Sequence, residues 1–192
     1  MIYIIMGVSG TGKSSLGLFL SEKLGWPLHE GDDFHPRENI QKMARGEPLT
    51  DQDRWPWLLK LHEVIERERS SGCSALVVCS ALKRQYRQVL LFGSTALSSS
   101  TVSHQEVPPS TPPDVFFLYL HGDYELIHKR IVARMGHYMK ADLLRSQFDI
   151  LEPPSDEENV LSLDVRRSIA DMAGEVEKHI ITLNHCQESS CS

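Results

Sequence analysis

Ile2-Tyr3-Ile4-Ile5-Met6 runs directly into Gly7-Val8-Ser9-Gly10-Thr11-Gly12-Lys13-Ser14, and Ser15 to Leu24 follows with apolar residues at helical spacing. The middle stretch has the pattern G-x-x-x-x-G-K-[ST], set between a β-branched strand and a helix. In that context the pattern specifies a phosphate-binding loop rather than an ordinary glycine-rich turn. Glycines let successive backbone N–H groups converge on phosphate oxygens, and the helix N-terminus adds partial positive charge. The expected triphosphate cradle is therefore Gly7, Val8, Ser9, Gly10, Thr11, Gly12, Lys13, Ser14 and Ser15. Lys13 is expected to reach the β- and γ-phosphates, and Ser14 to offer its hydroxyl to Mg²⁺. The loop fixes the donor and leaves open where the γ-phosphate goes.

Outward from the loop, strand and helix patterns alternate. Gly25-Trp26-Pro27 ends the first helix, and Leu28 to Glu30 reads as a short strand leading into Gly31-Asp32-Asp33-Phe34-His35-Pro36. Asn39 to Arg45 reads as a helix. Thr50 or Asp51 can cap the next one, Trp55 to Arg69, whose apolar stripe is Trp57, Leu58, Leu61, Val64 and Ile65. Ala75 to Ser80 is a continuous apolar run, as expected of a strand buried on both faces of a parallel sheet. A helix over 82–92, a strand over 115–120, helices over 124–135 and about 142–151, a strand over 160–164 and a terminal helix over 169–183 complete the series. This order predicts a three-layer α/β fold of the P-loop NTPase type, with a mostly parallel five-stranded sheet and a small helical lid. Residues 1–184 form one domain on this reading, with a lid at about 134–152 and a flexible tail at 185–192. Residues 93–113, rich in Ser, Thr and Pro, read as a mobile surface insertion.

Composition narrows the function. The 192 residues are 41% hydrophobic and carry a net charge of −6, which argues against a nucleic-acid or membrane-surface binder. In an acidic chain that holds phosphates, cations must be concentrated locally. Four cysteines, Cys73, Cys79, Cys186 and Cys191, show no metal-ligand spacing and read as reduced thiols. No secretory signal precedes the first strand and no apolar run is long enough to span a membrane, so the cytoplasm is the expected location.

Two absences separate the chain from other nucleotide-binding classes. It lacks an Asn-Lys-x-Asp guanine signature, and its third strand ends Val78-Cys79-Ser80 without the carboxylate that an ATPase or GTPase presents to Mg²⁺. The acid must come from elsewhere, and the second strand ends Glu30-Gly31-Asp32-Asp33. Alternate residues of an extended strand share a face, so Glu30 and Asp32 are expected to point together toward the loop. One would hold Mg²⁺ through water and the other would orient an attacking hydroxyl. A helix cap or a solvated turn is the structural alternative. The candidate cations are Arg54, the group Lys83, Arg84 and Arg87, and the pair Arg130 and Arg134 before Gly136-His137. Such clusters suit a small anionic substrate and a transferring phosphate. His35 and His137 sit in loops beside the expected site, where polar contact with substrate and local packing are both open readings.

Several blocks together resemble the gluconokinase family. They are 7–14, Asp32 to Asn39, Lys42-Met43, Gly46 to Leu58, Cys79 to Arg87, Gly136 to Met139 and Ser146 to Pro153. They cover nearly the whole chain outside 93–113 and the tail. The resemblance implies ATP-dependent phosphorylation of D-gluconate at its 6-hydroxyl, on the shikimate-kinase and nucleoside-monophosphate-kinase branch of the fold, often as a homodimer. It makes Asp32 the carboxylate that contacts the acceptor hydroxyl and Arg54 the arginine that holds the substrate carboxylate, with Lys83 or Arg84 as second candidates. It sets Arg130 and Arg134 beside the lid, where Arg134 would act on the transferring phosphoryl, and Asp164-Val165-Arg166 near the adenine. Glu30 stands where members often carry Asp, and Tyr138 where Phe is common. Shikimate or a nucleoside monophosphate as acceptor, or an ATP-binding regulator without catalysis, are the competing readings.

Overall fold

The computed structural model describes residues 1–98, 110–135 and 141–189. Its five strands are β1 (Ile2–Met6), β2 (Leu28–Glu30), β3 (Ala75–Val78), β4 (Val115–His121) and β5 (Val160–Asp164). They lie in the order β2-β3-β1-β4-β5, and every neighbouring pair is parallel. Parallel neighbours need long crossovers, which here run through α1 (Lys13–Leu24), α2 (Arg37–Ala44), α3 (Asp51–Ser70), α4 (Arg84–Phe92), α5 (Thr95–Ser98), α6 (Tyr124–Met135) and α7 (Ala141–Ile150). Helix α8 (Ile169–Ser189) closes the chain.

The central strand divides the core by its two-residue period. Tyr3 and Ile5 join Leu16, Leu20, Leu118 and Val176 on one face of the sheet. Ile2, Ile4 and Met6 join Trp57, Leu58, Leu61 and Tyr86 on the other. All five β1 side chains are fully buried, which explains why that strand carries no charge and why its one hydroxyl, on Tyr3, is paired with His179 Nδ1 at 2.9 Å. Burial on both sides fixes its register, and so fixes where the loop after Met6 emerges.

Several boundaries differ from the sequence reading. Helix α3 starts at Asp51 instead of Trp55, because Thr50 and Asp53 form a capping box. The Thr50 hydroxyl accepts the Asp53 N–H at 3.2 Å, and the Asp53 carboxylate accepts the Thr50 N–H at 2.8 Å. Arg54 is thereby placed in the first helical turn. Helix α4 starts at Arg84 instead of Leu82, since Ala81 has a φ of 47° and Lys83 is extended. Part of the stretch read as insertion is ordered secondary structure. Helix α5 forms there because Ala96 and Leu97 find the sheet's second core to pack on. Residues 99–109 lie outside the described residues. Helix α8 continues to Ser189, past the Leu183 end and into the stretch read as tail, because nothing in the polar sequence after Leu183 breaks a helix. Among the described residues no helix is long and apolar enough to cross a membrane.

Arg87 is a structural residue of this fold and not a ligand for substrate. Its side chain is 1% exposed and spans two segments. Nε and Nη2 donate to the Glu158 carboxylate at 2.7 and 3.2 Å. Nη1 donates to the carbonyls of Ala81, Leu82 and Glu152 at 3.0, 3.3 and 2.9 Å. Burial alone would raise the Glu158 pKa, but the Arg87 hydrogen bonds and the Ser155 N–H hold it below the ordinary value. Removing one partner of a buried ion pair leaves a charge and several carbonyls unpaired. Arg87→Ala is therefore expected to lower stability by about 3–5 kcal/mol in urea unfolding. A loss under about 1 kcal/mol would show that the pair carries little of the fold.

Candidate active site

The loop after β1 has the geometry of an anion cradle. Gly10 has a φ of 80°, and a Cβ there would stand 2.4 Å from Ile131 Cγ1, so conformation and space both require glycine. Gly12 is the N-cap of α1. It provides no side-chain cap, and the first turn carries no acid, so the helix N-terminal amides stay open to an anion. The Thr11 hydroxyl donates to the Val8 carbonyl at 2.9 Å, and Lys13 Nζ donates to the same oxygen at 2.9 Å. Burial pushes the Lys13 ammonium down to about 8, against the pull of the Asp32 and Glu30 carboxylates. A lysine whose only hydrogen bond among the described residues is to a loop carbonyl is poised for a stronger anionic partner.

The acids converge on this lysine by a different route from the one expected. Strand β2 ends at Glu30, and Gly31–Phe34 is a 3₁₀ turn, so Asp32 does not share a strand face with Glu30. The tight turn is possible because residue 31 is glycine: a Cβ there would lie 2.3 Å from the Val78 carbonyl of β3. The Trp57 indole N–H donates to the Gly31 carbonyl at 2.7 Å and pins the turn. Glu30 accepts the Ser14 hydroxyl at 3.1 Å, and burial pushes its pKa up despite that hydrogen bond. The Asp32 side chain is 95% exposed and free to meet a ligand.

His35 supports this turn and is not presented to the cleft. Its side chain is 4% exposed, and its ring stacks on Trp57 at 4.2 Å. Nε2 lies 3.9 Å from Asp32 Oδ1, while Nδ1 faces the Asn39 amide nitrogen at 3.3 Å. With Nδ1 accepting from Asn39, Nε2 carries the proton toward Asp32. Burial lowers its pKa, which favours this neutral form. His137 lies outside the described residues.

Across the cleft the cations sort themselves by partner. Lys83 Nζ contacts both Asp51 oxygens at 3.0 Å, and the Tyr86 hydroxyl donates to Oδ1 of the same carboxylate. Lys83 is therefore already neutralised. Arg84 is exposed: its backbone N–H bonds the Glu152 carboxylate, and its guanidinium lies 3.7 Å from Glu157. It does not face the cluster, because α4 begins at this residue and turns it outward. Arg54 differs from both. Its guanidinium lies over the Tyr86 ring at 5.5 Å, and its buried Nε has no hydrogen-bond partner among the described residues. A buried N–H left unpaired by the protein is costly unless a ligand completes it. The Cys79 thiol, which burial pushes up to about 12, feels the charges of Lys13, Asp32 and Arg54 together. All three therefore lie near the end of β3 at Cys79. Asp51 and Tyr86 were not singled out in the sequence, where Asp51 looked only like a helix cap.

On the far side of the loop is a cavity of about 560 Å³, lined among others by Gly12, Ser15, Arg130, Arg134, Arg167 and Met172. Arg130 and Arg134 both line it. Arg166 does not. Its guanidinium turns back onto Asp164, with contacts of 2.9 and 3.0 Å, and it is 72% exposed. Arg167 takes its place on the cavity wall, because the tight turn after β5 shifts the inward position by one residue. A further contact was not foreseen: Gln147 of α7 bonds Ser9 of the loop.

A phosphate loop, an acidic turn at the next strand end and an open arginine opposite them define a P-loop kinase acting on a small molecule. No protein-family model matches the chain. It is 45% identical over 180 residues to a probable gluconokinase of Xenopus tropicalis, covering 94% of this chain and 93% of that one. It is 37% identical to the thermosensitive gluconokinase of Escherichia coli, covering 94% and 88%. The crystal structure of a gluconokinase from Sinorhizobium meliloti superposes with a TM-score of 0.79 at 36% identity, covering 99% and 97%. The chain belongs to the gluconokinase family.

The depressed Lys13 has a direct consequence for nucleotide binding. Above pH 8 the free protein holds this lysine mostly neutral, whereas a polyphosphate favours its charged form. Binding ADP at pH 9 should therefore take up a proton, and affinity should fall as pH rises through 8. Calorimetry in two buffers of different ionisation heat measures the uptake. Equal apparent enthalpies and pH-independent affinity from 7 to 9.5 would contradict the assignment.

Proposed function

We propose that the chain transfers the γ-phosphoryl group of ATP to the 6-hydroxyl of D-gluconate, forming 6-phospho-D-gluconate and ADP. The observation that carries this reading is the buried Arg54 Nε, unpaired among the described residues, near the same strand end as Lys13 and Asp32. That arrangement suits an acceptor with a carboxylate at one end and a hydroxyl at the other. A monocarboxylic sugar acid has this form, and the family's named members point to gluconate.

The donor set near the loop fits Mg²⁺. Ser14 and Glu30 supply a hydroxyl and a carboxylate, hard oxygen donors of the kind that ion prefers. Among the described residues no group of three or more His, Cys, Asp or Glu could hold a metal by itself. That suits an ion brought in on the nucleotide phosphates, with Ser14 as direct ligand and Glu30 acting through water. When bound, the ion would neutralise charge on the β- and γ-oxygens.

The residues perform the rest. Phosphoryl transfer passes through a loose transition state, so positioning and charge neutralisation dominate over strong base catalysis. Lys13 leaves the Val8 carbonyl for the phosphates, and the amides of Gly10 to Ser15 cradle them. Arg130 and Arg134 border the nucleotide cavity and stabilise the charge that develops on the γ-oxygens. Asp32 aligns the acceptor hydroxyl and takes its proton late, held in place by the Trp57–Gly31 bond and by His35. Arg54 grips the acceptor carboxylate. Lys83 and Tyr86 hold Asp51, which stiffens the start of α3 and so the arm on which Arg54 sits. A reaction that draws on ATP in this way is expected in the cytoplasm.

An ADP-release assay across D-gluconate, shikimate and nucleoside monophosphates tests the acceptor, and turnover restricted to another class would overturn the reading. Lys13→Ala should abolish measurable transfer. Asp32→Ala should lower kcat by about 10²–10⁴-fold, the usual range for a positioned acid–base group. Near-normal kcat in this variant would remove Asp32 from its role. Arg54→Ala should raise the KM for gluconate by about 10–100-fold, in line with one charge-assisted hydrogen-bonding group, and change the KM for ATP little.

A further inference from the structure

Helix α7 and the two residues that follow it touch the donor loop and the acceptor side at once. The Gln147 side-chain oxygen accepts the Ser9 backbone N–H at 2.7 Å, and its amide nitrogen donates to Ser9 Oγ at 3.0 Å. Reversing the amide would set N–H against N–H, so a single orientation satisfies both contacts. Five residues on, the Glu152 N–H donates to the Leu82 carbonyl at 2.8 Å. The Glu152 carbonyl accepts from Arg87 at 2.9 Å, and its carboxylate accepts the Arg84 N–H. The helix that carries Gln147 is itself packed down. Leu144 is 1% exposed, Phe148 meets the Tyr124 ring edge-on at 5.5 Å, and the Arg145 guanidinium lies over that ring at 4.2 Å.

Ser9 is the third residue of the loop, next to the Val8 carbonyl on which Lys13 rests. Its N–H is committed to Gln147 and is not available to a phosphate oxygen. Ser9 therefore differs from the phosphate-binding amides among which the sequence placed it. It is the point at which α7 sets the shape of the loop. We propose that Gln147 is a positioning residue for phosphoryl transfer. It holds Ser9 so that the amides from Gly10 onward face the transferring group, and Glu152, two residues past the end of its helix, ties the loop to the Leu82–Arg84 segment that leads into Tyr86 and Arg54. Donor and acceptor are thus held in register by one helix. The inference rests on the kinase reading above and adds to it the element that aligns the two substrates.

Gln147→Met keeps most of the side-chain volume and removes both hydrogen bonds, and Gln147→Ala serves should that variant fold poorly. Three measurements on the full chain decide the matter. Hydrogen exchange of the peptide carrying Ser9 should quicken in the variant, while peptides from β1 and β4 stay as protected as in the wild type. With D-gluconate, kcat should fall about 10- to 100-fold, as for a misplacement of reacting groups. The KM for gluconate should stay within about twofold, because Arg54 is untouched. A kcat within twofold of wild type would overturn the proposal, as would unchanged exchange at Ser9. So would a lost kcat accompanied by loosened exchange throughout the sheet, since that marks a merely structural role. Wild-type turnover of D-gluconate is the control for the function itself. If the wild type is silent with every acceptor, that reading fails on its own, and Gln147 is then judged by exchange at Ser9 and by ADP affinity, which should fall at least threefold in the variant.

Discussion

The structure depends on one constraint: β1 is buried on both faces, and its C-terminal end must nevertheless deliver an open set of backbone amides to solvent. Every side chain from Ile2 to Met6 is fully buried, so the strand cannot slide or twist to accommodate the loop after it. The loop does all the accommodating. Gly10 turns where Ile131 leaves no room for a Cβ, and Gly12 begins α1 without a side-chain cap. A capped or acidic helix start would be locally more comfortable and would occupy the amides that an anion needs. The fold leaves this helix end unsatisfied at the place where a ligand can complete it.

The same logic governs the charges. A chain with a net charge of −6 that handles polyanions must keep selected cations uncommitted, and several of the others are given partners. Arg87 is enclosed by Glu158 and three carbonyls, Lys83 by Asp51, Arg69 by Asp114 and Glu66, and Lys42 by Asp53. Among the described residues, Lys13 is left with a single carbonyl, and Arg54 with an aromatic face and an unpaired Nε. Burial also lowers the proton affinity of Lys13, so an anion placed beside it would strengthen its charged form. Around the site, pairing of the neighbouring cations leaves Lys13 and Arg54 as the ones open to an anion.

What the sequence made legible follows from the range of the interactions involved. The loop at 7–14, the strands and the long helices depend on local pattern and period, and all were readable. The acidic pair at Glu30 and Asp32 was identified through the missing carboxylate on the third strand, but the geometry assumed for it was wrong. No strand pattern reveals that Gly31 must press against the Val78 carbonyl and turn the chain into a 3₁₀ helix. Arg87 looked like Lys83 and Arg84 because a cation's partner can lie far along the chain, here 71 residues away at Glu158. Arg166 and Arg167 are adjacent and identical in chemistry, and only the hydrogen bonds of the turn at Asp164 decide which one faces the cavity. Gln147 and Ser9, 138 residues apart, carried no signal of contact at all.

These long-range contacts share a location, which bears on how the parts act together. Ser80 accepts the N–H of Gly7, Leu82 accepts that of Glu152, and Arg87 gathers the carbonyls of Ala81, Leu82 and Glu152. The segment from Ser80 to Arg87 thus touches the start of the phosphate loop, the C-terminal end of α7 and the Tyr86–Asp51–Lys83 group beside Arg54. Ala81, with a φ of 47°, is a non-glycine residue held in the left-handed region at the centre of this junction. Such a conformation persists where surrounding contacts over-determine it, and here the over-determination is visible in the bonds on both sides. A loop that binds triphosphate alone would not need that junction. An enzyme that must present a hydroxyl to phosphorus within a few tenths of an ångström does, because the alignment of two separately bound substrates is as good as the rigidity between their sites.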